Sequence, residues 1–265
     1  MRLQLLSDLH LETEVFDPVP APGADLLVLA GDIDATWAGL DRFARWPVPV
    51  VMVAGNHEFD GRELGAAWAG LRAACDARGI RLLEREAWVT TAPDGRRVRF
   101  VGTVRWSDFD LFGPAGQERA MRAAAYFLRL MGATRGEQPI DPVVMREEAL
   151  SCRAWLAAEL ARPNPGGAEG WDQTVVITHF GPSLRSADPR YGRQPGTASF
   201  CNADDDLLPL ADLWLHGHLH CRHDYEVPRP GRAPTRVVCQ AMGLIAKGEA
   251  DGHDPLKLIT LPEPA

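Results

Sequence analysis

Side chains that can bind metal ions occur in five short groups along the chain. In chain order these groups are Asp8-Leu9-His10, Gly31-Asp32, Gly55-Asn56-His57-Glu58, His179 and Gly217-His218-Leu219-His220. They contain five of the eight histidines. Carboxylate and amide oxygens mixed with imidazole nitrogens suit Mn, Fe or Zn better than Ca or Mg, which prefer shells made of oxygen alone. The residue types therefore predict a metal centre, and they do not choose among these three metals.

Each group follows a short apolar run that is typical of a buried strand. Those runs are residues 3–6, 26–30, 48–54, 175–177 and 213–215. In open α/β sheets, functional groups gather beyond the carboxyl ends of the strands. An extended backbone would also place the side chains of Asp8 and His10 on the same side, because side chains two residues apart in a strand share a face. We therefore expect five strand ends to direct their polar side chains at one spot.

The remaining pattern favours a layered α/β domain. Two more apolar runs, 98–104 and 237–239, predict strands, and Ala/Leu/Arg-rich segments at 63–78, 117–131 and 145–161 have helical spacing. No stretch reads as a domain linker, so we expect one domain over residues 1–265. The least regular segment between two strong strands, 106–142, is a candidate insertion or cap.

Composition excludes several classes of protein. The 265 residues are 46% hydrophobic and carry a formal net charge of −8, which argues against disorder and makes a nucleic-acid partner unexpected. Five widely spaced cysteines suggest no disulfide framework, and neither a signal peptide nor a membrane span is visible. We expect a cytoplasmic protein. Phosphate loops, serine-hydrolase elbows, dinucleotide fingerprints and zincin motifs are also missing from the sequence.

The ordered series of five groups resembles the calcineurin-like metallophosphoesterase family, and within it a bacterial subgroup of uncharacterised phosphoesterases. The resemblance implies an α/β fold in which two β-sheets form a sandwich flanked by helices, in four layers α/β/β/α. It also implies two divalent metal ions at one edge of that sandwich. The implied ligands are Asp8, His10, Asp32 and His220 for the first ion, and Asp32, Asn56, His179 and His218 for the second. His57 is implied to lie beside the scissile phosphate as a proton donor or charge stabiliser.

The implied activity is hydrolysis of a small phosphodiester or phosphomonoester by attack of a metal-bridging hydroxide. The alternative is a scaffold that keeps the fold as a binding platform, but such a protein has no need of His57 or of a complete ligand set. The substrate itself stays open. Arg185, Arg190 and Arg193 could contact a phosphate through their guanidinium groups, or they could belong to a solvated loop. Phe180 stands where the subgroup often has His, which bears on substrate preference.

Overall fold

Two large β-sheets form the centre of the protein. The structure, a computed structural model, describes residues 1–262. Its strands are β1 (Arg2–Leu6), β2 (Leu26–Ala30), β3 (Val50–Val53), β4 (Ile80–Leu82), β5 (Glu86–Thr91), β6 (Arg97–Thr103), β7 (Thr134–Arg135), β8 (Gln138–Pro139), β9 (Gln173–Thr178), β10 (Leu213–His216), β11 (Arg222–Arg229), β12 (Arg232–Gln240) and β13 (Leu258–Thr260). The α-helices are α1 (Leu64–Asp76), α2 (Pro114–Met131) and α3 (Pro142–Leu160).

The strand order explains why several strands end at the same edge. The first sheet has the order β13-β1-β2-β3-β4, with β1 to β4 parallel and β13 antiparallel. The second has the order β11-β12-β10-β9-β6-β5, in which the four central strands are parallel and the two edge strands antiparallel. Strands β7 and β8 form a separate hairpin. All five predicted groups follow parallel strands.

Side chains from both sheets interlock between them. Leu3, Leu5 and Val28 of the first sheet belong to the same buried cluster as Phe100 and Ile177 of the second. Apolar area removed from water supplies the main driving force for this packing, at about 1.5–3 kcal/mol for each fully buried side chain of this size. The runs of Leu, Val and Ile are therefore nearly continuous, as expected for parallel strands that are covered on both faces.

Helices cover the two outer faces. The first sheet packs through Leu29 and Met52 against α1, and its cluster continues into α2 and the first half of α3. On the second sheet, Val176 and Trp214 pack against Leu156, in the second half of α3. The predicted fold of two sheets flanked by helices is confirmed.

Segment 106–142 contains the helix that the sequence predicted at 117–131, and a short hairpin besides. These are α2 and the β7–β8 hairpin, and α2 is bounded by Pro114 in its first turn and by Gly132 in a left-handed conformation at its end. Two of the four buried residues of this helix are Ala, which lets it lie close to its neighbours. The helical spacing at 117–131 is thus explained by α2, and the interpretation of 106–142 as an insertion or cap stays a prediction.

Candidate metal centre

Asp8, His10 and His220 lie together at the edge where β1 and β10 end. Each offers one ligand atom, and these three atoms lie within 4.8 Å of one another. Nε2 of His10 is 3.1 Å from Nε2 of His220, which in turn lies 3.6 Å from Asp8 Oδ1. Asp8 is fully buried, so its charge is poorly screened by water. We call this set the first cluster.

Asp32, His179 and His218 form a second cluster, in which one ligand atom of each residue lies within 4.8 Å of the other two. Asp32 Oδ2 is 3.1 Å from His179 Nε2, and Asn56 Oδ1 is 3.3 Å from that same nitrogen. The two clusters are adjacent, since the backbone N–H of His218 donates to the Asp8 carboxylate at 2.9 Å. The structure thus brings together all seven side chains that the resemblance implied as ligands.

The backbone at these residues differs from the expected extended form. Among residues 1–262, nine non-glycine residues have positive φ, and five of them are Asp8, His10, Asp32, His218 and His220. Such left-handed conformations cost free energy and persist where surrounding contacts hold them. The prediction that an extended backbone aligns Asp8 with His10 was therefore wrong; tight turns direct both side chains.

Two glycines permit the close approach of the turns. A Cβ added at Gly217 would lie 2.5 Å from Asp8 Oδ2, and one at Gly55 would lie 2.1 Å from Asp32 Oδ1. Neither separation is possible for a real carbon atom. A residue with a side chain at either position would displace a carboxylate of one of the clusters.

In each histidine of the two clusters, the ring nitrogen that points away from the cluster (the outward nitrogen) has a hydrogen-bond partner. Nδ1 of His10 and of His220 face carboxylates, whereas Nδ1 of His179 and Nε2 of His218 face backbone carbonyls. Carboxylates and carbonyls only accept hydrogen bonds, so each of these nitrogens donates, and the inward nitrogen of a neutral ring keeps its lone pair. The inward Nε2 atoms of His10 and His220 would then repel each other at 3.1 Å unless a proton or a cation lies between them. This donor set fits divalent cations.

Charges in and around the second cluster shift the pKa values of its members. Burial opposes ionisation of Asp32, yet His179 and His57 hold its pKa well below the ordinary value. Burial likewise lowers the pKa of His179, but the charge of Asp32 outweighs it and raises that pKa to about 9. At His218, burial and then the charge of His179 lower the pKa well below the usual range. Perturbed groups of this kind concentrate at functional sites.

His57 stands beside the clusters with an accessible ring. Its side chain is 40% exposed, its ring centroid is 5.0 Å from that of His10, and its Nδ1 is 2.7 Å from Asp60 Oδ2. Burial lowers the pKa of His57, but the charge of Asp32 and the hydrogen bond to Asp60 raise it to about 10. Cations at the clusters would oppose that rise, because like charges repel.

The carboxylate of Glu58 braces the site. The buried Glu58 carboxylate accepts from the backbone N–H groups of Asp32, Ile33 and Gly55, and so ties the second turn to the third. Burial and the charge of Asp32 raise the pKa of Glu58 to about 7.

Asp34 and His216, which lie near site residues in the sequence, serve local structure. Asp34 accepts from the backbone N–H groups of Thr36 and Gly39 and so closes its own turn. The buried His216 bonds to Ser186 and to the Gly217 carbonyl.

The arginine loop after His179 is largely engaged with protein groups. Arg185 donates to the Glu226 carbonyl and lies over the Tyr225 ring. Arg190 binds Asp188 through two nitrogens and reaches the His220 carbonyl at 3.4 Å, with 44% of its side chain exposed. Of the two, Arg190 is the one tied to a clustered histidine.

Sequence reasoning missed the groups behind the histidines. Glu12, Glu249 and Asp60 each face an outward imidazole nitrogen. Glu12 and Asp60 lie within three residues of their histidines, so local spacing could have suggested them. Glu249 lies 29 residues after His220, and no local pattern indicates it.

Comparison with known proteins decides the family. A profile of calcineurin-like phosphoesterases matches residues 1–222, which include all five groups. The chain belongs to the calcineurin-like phosphoesterase family. As a member of that family it is a metal-dependent phosphoesterase, as the sequence predicted.

One solved structure supports the fold, and two more distant ones were also found. A phosphopantetheinyl hydrolase from Mycobacterium tuberculosis is similar at 19% identity with a TM-score of 0.68, over 98% of this chain and 96% of that one. A dimetal phosphatase from Danio rerio (14% identity, TM-score 0.48, 90% of this chain and 86% of that one) is more distant. A 5'-nucleotidase precursor from Thermus thermophilus is similarly distant, at 16% identity and a TM-score of 0.45, over 90% of this chain and 48% of that one. No curated protein sequence matches significantly. None of the helices within residues 1–262 is long and apolar enough to cross a bilayer.

Proposed function

We propose that this phosphoesterase hydrolyses a small phosphodiester or phosphomonoester at a dinuclear metal centre. Asp8, His10, Asp32 and His220 would hold one divalent ion, and Asp32, Asn56, His179 and His218 the other. The observation that carries the proposal is the pair of adjacent clusters, each with one carboxylate and two imidazoles. When bound, a pair of divalent ions makes hydroxide available near neutral pH and clamps phosphoryl oxygens.

His57 is the proposed proton donor to the leaving oxygen. Asp60 accepts from Nδ1, which holds the ring and leaves Nε2 free to face the substrate. Asp32 Oδ1 accepts from the His57 backbone N–H at 2.8 Å, so the turn that carries His57 is fixed to the second cluster. Catalysis and cation binding therefore use neighbouring but separate side chains.

A small anionic substrate fits the charge of the molecule. The chain has a net charge of −8, which disfavours long polyanions such as nucleic acids. The two ligating carboxylates, Asp8 and Asp32, would offset only about half of the charge of two divalent ions, so positive charge remains among the ligands to attract a phosphate locally. All five cysteines are free thiols, in keeping with the cytoplasmic location expected from the sequence.

A single domain over residues 1–265 completes the proposal; residues 263–265 lie outside the described part. Segment 106–142 would support one side of the site from behind, because Trp106 packs on Phe180 and the ring centroids of Phe180 and His218 are 4.0 Å apart. One calorimetric transition is expected of a single domain. The ratio of diester to monoester hydrolysis is the property that this segment would influence.

The test measures hydrolysis of bis-p-nitrophenyl phosphate and of p-nitrophenyl phosphate. The protein is first freed of metal with a chelator, and Mn, Fe, Ni or Zn is then added back. Metal content is measured on the same sample. We expect metal-dependent turnover with two ions per chain. Folded protein that is silent with every metal would refute the proposal and favour the scaffold alternative.

Variants separate the two roles. His57→Ala should cut turnover while both ions are retained, whereas Asp32→Asn should lose activity and metal together. His223→Asn, on the edge strand β11, is the matched control and should change neither. Loss of metal from His57→Ala would contradict this division.

A further inference from the structure

We infer that Glu12 and Glu249 are positioning residues that make the first cluster the tighter of the two cation sites. The inference rests on the proposed function only in that both clusters hold divalent ions. It concerns side chains that are not ligands themselves, and one of them, Glu249, lies beyond the segment matched by the family profile.

Glu249 is built into the protein behind His220. Its side chain is only 6% exposed, and Oε2 is 2.6 Å from His220 Nδ1 while also accepting from the backbone N–H of Leu244 at 3.0 Å. Gly243, with φ +73, permits this approach, because a Cβ there would lie 2.8 Å from Glu249 Cβ and 2.9 Å from His220 Cβ. The carboxylate therefore fixes both the orientation and the tautomer of the His220 ring.

Glu12 does the same for His10. Oε1 is 3.2 Å from His10 Nδ1, and Oε2 accepts from the Ala35 backbone N–H at 2.9 Å. Because one oxygen is anchored to the neighbouring loop, the other is held against the imidazole. Both histidines of the first cluster thus donate to a carboxylate.

The second cluster differs in this respect. Its outward nitrogens donate to the backbone carbonyls of Ala30 and Ser199, at 2.8 Å and 3.2 Å. A carboxylate acceptor carries a full negative charge and raises the basicity of a ligating imidazole more than a neutral carbonyl does. Two additional carboxylates therefore lie directly behind the ligands of the first cluster. Within residues 1–262 only one of them is near an arginine (Arg190, 3.8 Å from Glu249 Oε1), and a cation at the first cluster gains more than one at the second.

The test uses the full chain after its metal has been removed with a chelator. Binding of Mn²⁺ and Co²⁺ is then measured by titration calorimetry and equilibrium dialysis, without substrate. The parent should bind two ions, one more tightly than the other. Glu249→Ala and Glu12→Ala should weaken only the tighter site, by about 10- to 100-fold, as is usual for groups that support metal ligands. Glu249→Gln should fall between parent and Glu249→Ala, because its amide oxygen still accepts from Nδ1 but lacks the charge.

Two further measurements distinguish positioning of the metal ligand by Glu249 from a merely structural role. The visible absorption of Co²⁺ at the tighter site should change in Glu249→Ala and return toward the parent spectrum in Glu249→Gln. Glu159→Gln removes a mostly buried carboxylate on α3 that pairs with Arg99, away from both clusters, and should leave both affinities and the spectrum unchanged.

Each alternative result has a definite meaning. Equal weakening of both sites, or parent-like binding by Glu249→Ala, overturns the inference while leaving the proposed function intact. A parent that binds no divalent cation overturns both. Selective loss of the tighter site in a protein that hydrolyses no phosphoester supports the inference and refutes the proposed function.

Discussion

Glu84 makes the stability of this phosphoesterase depend on pH in a way that one substitution can reveal. Its side chain is 7% exposed, and its carboxylate accepts from the backbone N–H of Val104 at 2.8 Å and from Thr103 Oγ1 at 3.3 Å. Burial raises the pKa of Glu84 from its ordinary 4.5 to about 7, against the opposing effect of these hydrogen bonds and of Arg85. The folded protein thus favours the protonated acid.

The sign and size follow from linkage between protonation and folding. A group whose pKa is raised by folding contributes stability that is fully present below its unfolded pKa and is lost as pH rises through the folded pKa. Each pKa unit corresponds to about 1.4 kcal/mol, so ionisation of Glu84 should lower the free energy of unfolding by about 3 kcal/mol between pH 4.5 and 7. Glu84→Gln is neutral throughout that range and should not suffer this loss.

The assay is urea denaturation of parent and Glu84→Gln at about pH 5, 6, 7 and 8. The variant should gain stability relative to the parent as pH rises, with the difference levelling off above about pH 7. Any cost of placing an amide near Arg85 is independent of pH and shifts the whole curve equally. Glu86, with 43% of its side chain exposed, supplies the control, and Glu86→Gln should run parallel to the parent. Parallel curves for Glu84→Gln as well would refute the reasoning.

Two other substitutions probe backbone approach and buried charge. Gly217→Ala should lower the cation affinity of the first cluster by about tenfold or more, because the new Cβ would meet Asp8 Oδ2 at 2.5 Å; Gly196→Ala, in open space, should bind metal like the parent. Arg105→Met should cost about 3–5 kcal/mol in urea denaturation, since it removes the buried guanidinium that pairs with Asp204 at 2.8 Å and with Asp108 at 2.6 Å, and leaves Asp204 with Arg153 alone. A loss under about 1 kcal/mol would contradict this.

The sequence predicted the family, the two-sheet fold and the parallel strands that carry the site. Continuous runs such as β2 and β9 are unambiguous because they are buried along their whole length. Edge strands β5 and β11 escaped prediction, because their partly exposed faces lack such runs. Strands β4 and β13 have only three residues each, too few for a pattern.

The sequence predicted which residues form the site better than it predicted how they are positioned. The left-handed turn at His10 depends on a backbone hydrogen bond from His10 to the Asp32 carbonyl, which lies far along the chain in the next group. The support of His220 by Glu249 depends on how the chain returns after β12. Both are tertiary contacts between distant segments, so no local spacing encodes them.

Each cluster draws on both sheets, since Asp8, His10 and Asp32 follow strands of the first sheet, whereas His179, His218 and His220 follow strands of the second. A cation held by either cluster therefore acts as a cross-link between the two halves of the sandwich, and it stabilises only the assembled form. During synthesis the first three of these side chains leave the ribosome long before the last three. Chains halted before residue 218 contain neither cluster in full, so capture of a cation by either cluster would belong to the closing stage of folding.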